Sequence, residues 1–421
     1  MTGINGGTLR EWRRSRGWDV PEMARQLRQA ADEPIAAHDG LLRMIRAWER
    51  GSHDLSERYE LLYRRLGFGT PGPAESAARP EAAAVAGSAG LLDELVGYAV
   101  EFGRRAEVAN VGSGTIHQLD DAIHRAAREY LTSSPGALLH RVGQITRQVF
   151  GLLQDRQRLR HTRDLYVIGA KCCAFLAWVA GDLGQLAAAS AHGRTALILA
   201  EEAAHPGAEA LALCALSKTA FWDGHLSRAG ALARRGYERC PPNTTRVLLA
   251  CQEADAASAT EAQHAIGRAR DARDEANTDD DLGGIFACGS VRLANYSAGV
   301  HLKTGEPDAA LRAVDAAYPL PGEEIGYGTW GQLQISAGIA WLVKGDLDGT
   351  ADRLSPVLAL PAGQRLATLT GRLATLTPAL TEGRYRTDRG ASTLAGQISA
   401  YCDEAAGAMR LASPTGEETT G

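Results

Sequence analysis

Several ingredients are missing from this chain of 421 residues. No uninterrupted apolar run reaches the roughly 18–20 residues that cross a bilayer, which argues against a membrane protein. The basic, apolar, small-residue order of a secretory signal is absent from the N-terminus, so the expected location is cytoplasmic. The seven cysteines (Cys172, Cys173, Cys214, Cys240, Cys251, Cys288 and Cys402) are odd in number, and no two lie at metal-ligand spacing. Most sit in apolar helical contexts, which reads as reduced, buried thiols. Strand-like alternation is almost absent and alanine is very frequent, so the expected class is all-α.

Catalytic signatures are missing too. There is no Gly-rich loop followed by Lys and Ser/Thr, no Gly-x-Ser-x-Gly and no His-Glu-x-x-His. Gly326, Gly328 and Gly331 spell Gly-x-Gly-x-x-Gly, but no strand precedes them, and the expectation is a loop between helical repeats. His117, His124 and His140 fall in successive helices without the spacing of a metal site. Asp274, Glu275, Asp279, Asp280 and Asp281 gather at a helix end and turn, where a solvated loop is the plain reading. An enzyme, a cofactor and a metal are therefore not expected.

The length suits two or three domains. The net charge of -5 excludes a basic nucleic-acid coat, so charge has to be read locally. Residues 1–69 hold twelve arginines and no lysine against ten acids, about +2, which leaves about -7 for the remainder.

Within that segment, Asp39 to Gly51 reads Asp-Gly-Leu-Leu-Arg-Met-Ile-Arg-Ala-Trp-Glu-Arg-Gly. Leu41, Leu42, Ile45 and Trp48 share one helical face; Arg43, Arg46 and Arg50 fall mostly on the other. Asp39 is the expected cap and Gly51 the expected left-handed stop. A short helix with an apolar stripe and an arginine stripe suits a DNA major groove. Helices are expected before it over Thr8–Arg16 and from Asp19 and Pro21 to about Ala31, and after it from Ser56 to Leu66. Trp12, Leu27, Ile45 and Trp48 form the expected miniature core.

The strings Leu9-Arg10-Glu11-Trp12-Arg13, Pro21-Glu22-Met23-Ala24-Arg25-Gln26-Leu27 and Trp48-Glu49-Arg50-Gly51 carry a resemblance. Together with Ser56 to Arg65, they make residues 8–69 resemble the lambda-repressor-like (XRE-type) helix-turn-helix domain of actinobacterial regulators. The connection Ala31–His38 is longer than the family's turn, and the second helix starts without the glutamine that members often set against phosphate. The resemblance implies double-stranded DNA as partner. Arg43 and Arg46, beside Met44, are the expected base-edge contacts; Arg50, Arg14 and Arg16 are expected on phosphate.

Residues 70–90, rich in Pro, Ala, Gly and Ser, read as a flexible linker. From 91 to 377 long apolar helices alternate with shorter Ala-rich ones around Gly181-Asp182-Leu183, Gly224-His225-Leu226, Gly305-Glu306-Pro307 and Gly345-Asp346-Leu347. One degenerate turn is expected near Ala259. A period near 40 is a helical-solenoid signature. With Arg163-Asp164-Leu165-Tyr166 and Ala177 to Leu183, this body resembles the tetratricopeptide-like (TPR-like) domain of bacterial regulators. Residues 378–421 carry one more expected helix, Ala391–Ala412, and a polar tail.

The first helices of such repeats line a concave face. Asn295, Tyr296, Trp330 and Gln332 are the candidate contacts there for a peptide or small-molecule effector, while Trp178, Trp222 and Trp341 are read as inter-helix packing. The expected function is sequence-specific, DNA-binding transcriptional regulation by a homodimer on a two-fold site. A protein-interaction scaffold that does not bind DNA is the alternative.

Overall fold

A computed structural model describes residues 6–68, 95–101, 110–317 and 325–412. Nineteen α-helices, a further helical stretch over 95–101 and three short 3-10 turns make up the regular structure of these residues, and no strand occurs among them. The expected linker over 70–90 and the tail beyond 412 lie outside the described residues, as do 91–94 and 102–109 at the start of the expected repeat body, where 95–101 are helical. The chain divides into two units, Met1–Val96 and Gly97–Gly421.

The first unit is a bundle of α1 (Gly6–Ser15), α2 (Val20–Ala30), α3 (His38–Glu49) and α4 (Glu57–Arg65). Asp19 caps α2 by accepting from the Glu22 amide at 2.7 Å, with Pro21 in the first turn where its missing N–H costs nothing. Helix α3 starts two residues earlier than a cap at Asp39 would place it. Ala37 holds the cap position without a side-chain hydrogen bond, so Asp39 lies in the first turn and favours it through the helix dipole instead. Gly51 takes a φ of +72°, the left-handed stop expected of it.

Leu27, Leu41 and Ile45 are fully buried and Trp48 nearly so; Trp12 packs on this core half-buried. The ring of Tyr63 sits centrally against Trp12 (5.8 Å), Trp48 (6.2 Å) and Phe68 (6.1 Å). The long connection after α2 is held by α4. Arg58 donates to the Pro34 carbonyl at 2.9 Å, and Arg65 reaches the Ala30 carbonyl at 3.2 Å and Asp32 at 2.5 Å.

The second unit is a stack of helix pairs. It runs α5 (Ser113–Glu129) and α6 (Pro135–Gln154), α7 (Leu159–Asp182) and α8 (Leu186–Glu202), then α9 (Pro206–Trp222) and α10 (Leu226–Arg239). Next come α11 (Thr244–Ala256) with α12 (Ala259–Glu275), α13 (Ser290–Lys303) with α14 (Pro307–Asp315), and α15 (Tyr327–Lys344) with α16 (Leu347–Leu358). Left-handed glycines close four first helices: Gly184, Gly224, Gly305 and Gly345, at φ between +73° and +89°. The first of these corrects the expected turn, because Gly181 and Asp182 are still helical. With Gly184 in place the intervals are 40, 81 and 40 residues, one regular period with a pair omitted. That pair turns at Ser258, where a capping box with Glu261 replaces the glycine. Ala189, Ala229, Ala262 and Ala310 are fully buried where paired helices meet.

Three shorter elements finish the unit: α17 (Ala367–Ala374), α18 (Thr377–Thr381) and α19 (Arg389–Ala412). Leu369, Leu373, Leu394 and Ile398 share one core with Ile335 and Leu354 of the last pair. The expected break after residue 377 therefore cuts through a continuous core, and α19 belongs to the body.

The array also closes on itself. Helix α17 packs against α7, and the Tyr327 amide donates to the Leu131 carbonyl at 3.2 Å. The three glycines of the Gly-x-Gly-x-x-Gly string make the approach possible. A Cβ on Gly326, Gly328 or Gly331 would stand about 3 Å from Leu131, Leu366 or Leu369 respectively. They open helix α15, correcting the expected loop.

Helix α7, though Lys171 interrupts its apolar run, is long and apolar enough by length and composition to cross a membrane, and 83% of its apolar window is buried inside the body. It reads as the central core helix. Six of the seven thiols are buried, and burial pushes Cys173 and Cys214 up to about 12, so neither is a thiolate nucleophile at neutral pH.

Candidate functional site

In the first unit the site is a helix face, and what holds it outward is an ion pair on its other side. Glu49, in the Trp-Glu-Arg-Gly string, is buried, and Arg13 of α1 grips it with Nε at 2.6 Å and Nη2 at 3.0 Å. The Arg13 guanidinium also donates to the Trp18 carbonyl at 2.6 Å, and the Glu49 hydrogen bond holds its pKa above the ordinary value. This bidentate lock fixes α1 on α3 and sets the rotation of α3.

Arg43, Arg46 and Arg50 are consequently exposed. Among the described residues none of them has a carboxylate within ion-pair distance; Arg43 and Arg50 touch only carbonyls of their own helix. Met44 between them is half-buried against the core. Arg14 is exposed, whereas Arg16 lies over Trp12 at 5.1 Å and Trp18 at 5.7 Å, an aromatic seat that fixes its stem. The arginines of α4 differ: Arg58, Arg64 and Arg65 each have an acidic partner.

In the second unit the site is a cleft of about 80 Å³ on the concave side, bounded by the first helices α7, α9, α11, α13 and α15 and closed by α17. Its hub is Asp182, which accepts from Tyr130 Oη at 2.8 Å, Lys218 Nζ at 2.7 Å and Thr368 Oγ1 at 3.3 Å. Lys218 also donates to the Trp178 carbonyl at 3.1 Å and lies 4.1 Å from the Trp178 ring centroid. Burial lowers the Lys218 pKa to about 8 despite the pull of Asp182, and raises the Tyr130 phenol well above its usual range. Arg292 covers the same indole at 5.1 Å while its Nη1 donates to the Ile285 and Ala287 carbonyls at 2.6 and 2.8 Å. Opposite in charge is Asp255, raised in pKa by burial. Among the described residues no donor hydrogen-bonds its carboxylate and no cation lies within 4 Å of it; Lys303 and Arg372 act on it only from farther away.

Three of the four expected contacts line this cleft: Asn295, Tyr296 and Gln332. Asn295 Nδ2 donates to Gln332 Oε1 at 3.2 Å, and Ser336 donates to Asn295 Oδ1 at 3.4 Å. Trp330 does not line it; starting α15 at Tyr327 places that indole against the C-terminal core. Trp178 and Trp222, read as packing residues, also face the cleft. Trp341 packs, its ring about 3 Å from where a Cβ on Gly349 would sit.

The charged members Asp182, Lys218, Asp255 and Arg292 escaped sequence reasoning. The available signal was a charge embedded in an apolar helical run: Lys218 interrupts α9 and falls 40 residues after Trp178. No cluster of metal-binding side chains occurs among the described residues. Of the acids near 280, Asp274, Glu275 and Asp279 are exposed as expected, whereas Asp280 is a cap that accepts from the Thr244 amide at 2.8 Å and the Thr244 hydroxyl at 2.6 Å.

Fold and site together define an all-α chain whose second unit is a helical-repeat array with a polar concave cleft. No family model matches the chain, and no curated protein matches it.

Proposed function

We propose that the chain is a sequence-specific DNA-binding transcriptional regulator of the lambda-repressor-like, XRE type. Helix α3 enters the major groove, and the TPR-like body receives an effector. One observation carries the reading: Arg43, Arg46 and Arg50 project from one helix face without carboxylate partners, while Arg13, Arg64 and Arg65 of the same bundle are ion-paired. An unpaired arginine fork is matched by guanine N7 and O6 or by phosphate. Arg43 and Arg46 read bases and Arg50 meets phosphate, with Arg14 and Arg16 adding phosphate contacts. A single head covers few base pairs, so the active form is a homodimer on a two-fold site.

Fluorescence anisotropy with duplex DNA from upstream of the chain's own gene, at increasing salt, tests the reading. The expected result is sequence-dependent affinity that falls steeply with salt as counterions are released. Absence of binding at low salt, or binding indifferent to salt, overturns it in favour of a protein-interaction scaffold.

A further inference from the structure

We propose that the cleft of the second unit binds a small zwitterion, a molecule with an ammonium at one end and a carboxylate or similar anion at the other, of the size of a small free amino acid. The argument is a charge count around one partly open cleft. Lys218 is neutralised by Asp182 at 2.7 Å. That leaves one cation, Arg292, and one anion, Asp255, lining the same cleft without being paired to each other.

Arg292 has five N–H groups, of which Nη1 uses two on the Ile285 and Ala287 carbonyls. Among the described residues Nε and Nη2 find no acceptor, and the Asp255 oxygens find no donor. Tyr296 lies close enough to feel both charges. A ligand bearing only an ammonium would leave Arg292 unmet, and one bearing only an anion would leave Asp255 unmet. Both side chains are half-buried in the cleft, so each omission forgoes a charge-assisted contact that the matched zwitterion would make. The volume of about 80 Å³ is roughly half that of a cavity known to admit benzene, which favours a few heavy atoms over an extended peptide. The Asn295–Gln332 amide pair supplies further polar contacts, and Trp178 an apolar wall.

This deepens the effector half of the reading above, but it is tested without DNA, so either can fail alone. The experiment is calorimetric titration of the full chain with glycine, alanine, serine, β-alanine and γ-aminobutyrate, beside matched single-charge probes (ethylamine, propionate). At least one zwitterion should bind tenfold or more tighter than its single-charge analogues, and Asp255→Asn and Arg292→Gln should each weaken it tenfold or more. Asp255→Asn removes no hydrogen bond and should fold; if Arg292→Gln does not, Asp255→Asn decides alone. No heat from any zwitterion at 10 mM, equal affinity for ethylamine or propionate, or unchanged affinity in Asp255→Asn overturns the proposal.

Discussion

The two units point their charges in opposite directions. In the first, the buried pair Arg13–Glu49 sits behind α3, and the arginines in front of it face water unpaired. In the second, charges converge inward on a partly open cleft, where Lys218 has an ion-pair partner and Arg292 and Asp255 do not. The dielectric makes this more than a matter of layout. Two unit charges 4 Å apart interact by about 1 kcal/mol in water but about 4 kcal/mol at an effective dielectric near 20. An exposed arginine row gains little from any single contact and suits a long polyanion that offers many. A half-buried cleft gains more from one well-matched ion than an exposed face does. On the proposed reading, the first arrangement would suit an extended partner and the second a small, chemically specific one.

Breaking the buried pairs should have the largest effect and should hurt both units alike. Glu49→Leu leaves Arg13 buried and unpaired, and Lys218→Met leaves Asp182 with hydroxyl donors only; each should cost about 3–5 kcal/mol. Urea unfolding followed by circular dichroism reads this, and a loss below 1 kcal/mol in either case would deny those pairs a structural role. Arg13→Met combined with Glu49→Leu should recover part of the loss. Lys218 adds a pH signature. Its folded-state value of about 8 lies below the ordinary 10.5, so the folded form binds fewer protons between the two. The penalty is therefore present below about pH 8 and relieved as pH rises toward 10.5, a slope that Lys218→Met should abolish.

Asp255→Asn should act in the opposite direction. The folded state holds this carboxyl above its ordinary 3.8. Folding stability thus falls as pH rises through that value, because the unfolded chain ionises first. The variant should gain about 1–3 kcal/mol at pH 7 and nothing below about pH 3. A loss of stability at pH 7 would show that Asp255 has a stabilising partner, and the contrast between the units would weaken.

Much of this arrangement was legible in the sequence, for identifiable reasons. Helix ends with a strong local signal, Asp19 before Pro21 and Gly51 after α3, depend on neighbouring backbone only. The repeat was legible because glycine turns recur, although the choice of Gly181 over Gly184 cost three residues of register. Asn295, Tyr296 and Gln332 could be placed on a concave face because first helices line it in any solenoid. What escaped depends on closure. Leu366 and Thr368 reach the cleft only because the array bends back on itself, and no local pattern encodes that contact. The buried role of Glu49 escaped for the same reason: its partner lies 36 residues away, and on the sequence Glu49 is one more charge among arginines.

The smallest effects lie on the exposed face and separate its members. Arg43→Ala and Arg46→Ala should leave unfolding within about 0.5 kcal/mol of the parent. Each should nevertheless lose about 1–3 kcal/mol of discrimination at one base pair in a binding-site selection. Arg50 is different because it leaves α3 at the C-cap and its Nε is engaged with the Arg46 carbonyl at 3.0 Å. On the proposed docking, that geometry would set it at the flank of the groove, nearer phosphate than a base edge. Arg50→Ala should therefore weaken all sequences about equally and lower the salt slope by about one counterion, with base preference intact. If Arg50→Ala instead changes the selected sequence while Arg43→Ala does not, the base-reading end of α3 is its C-terminal turn, and the helix must lie in the groove with its opposite end foremost.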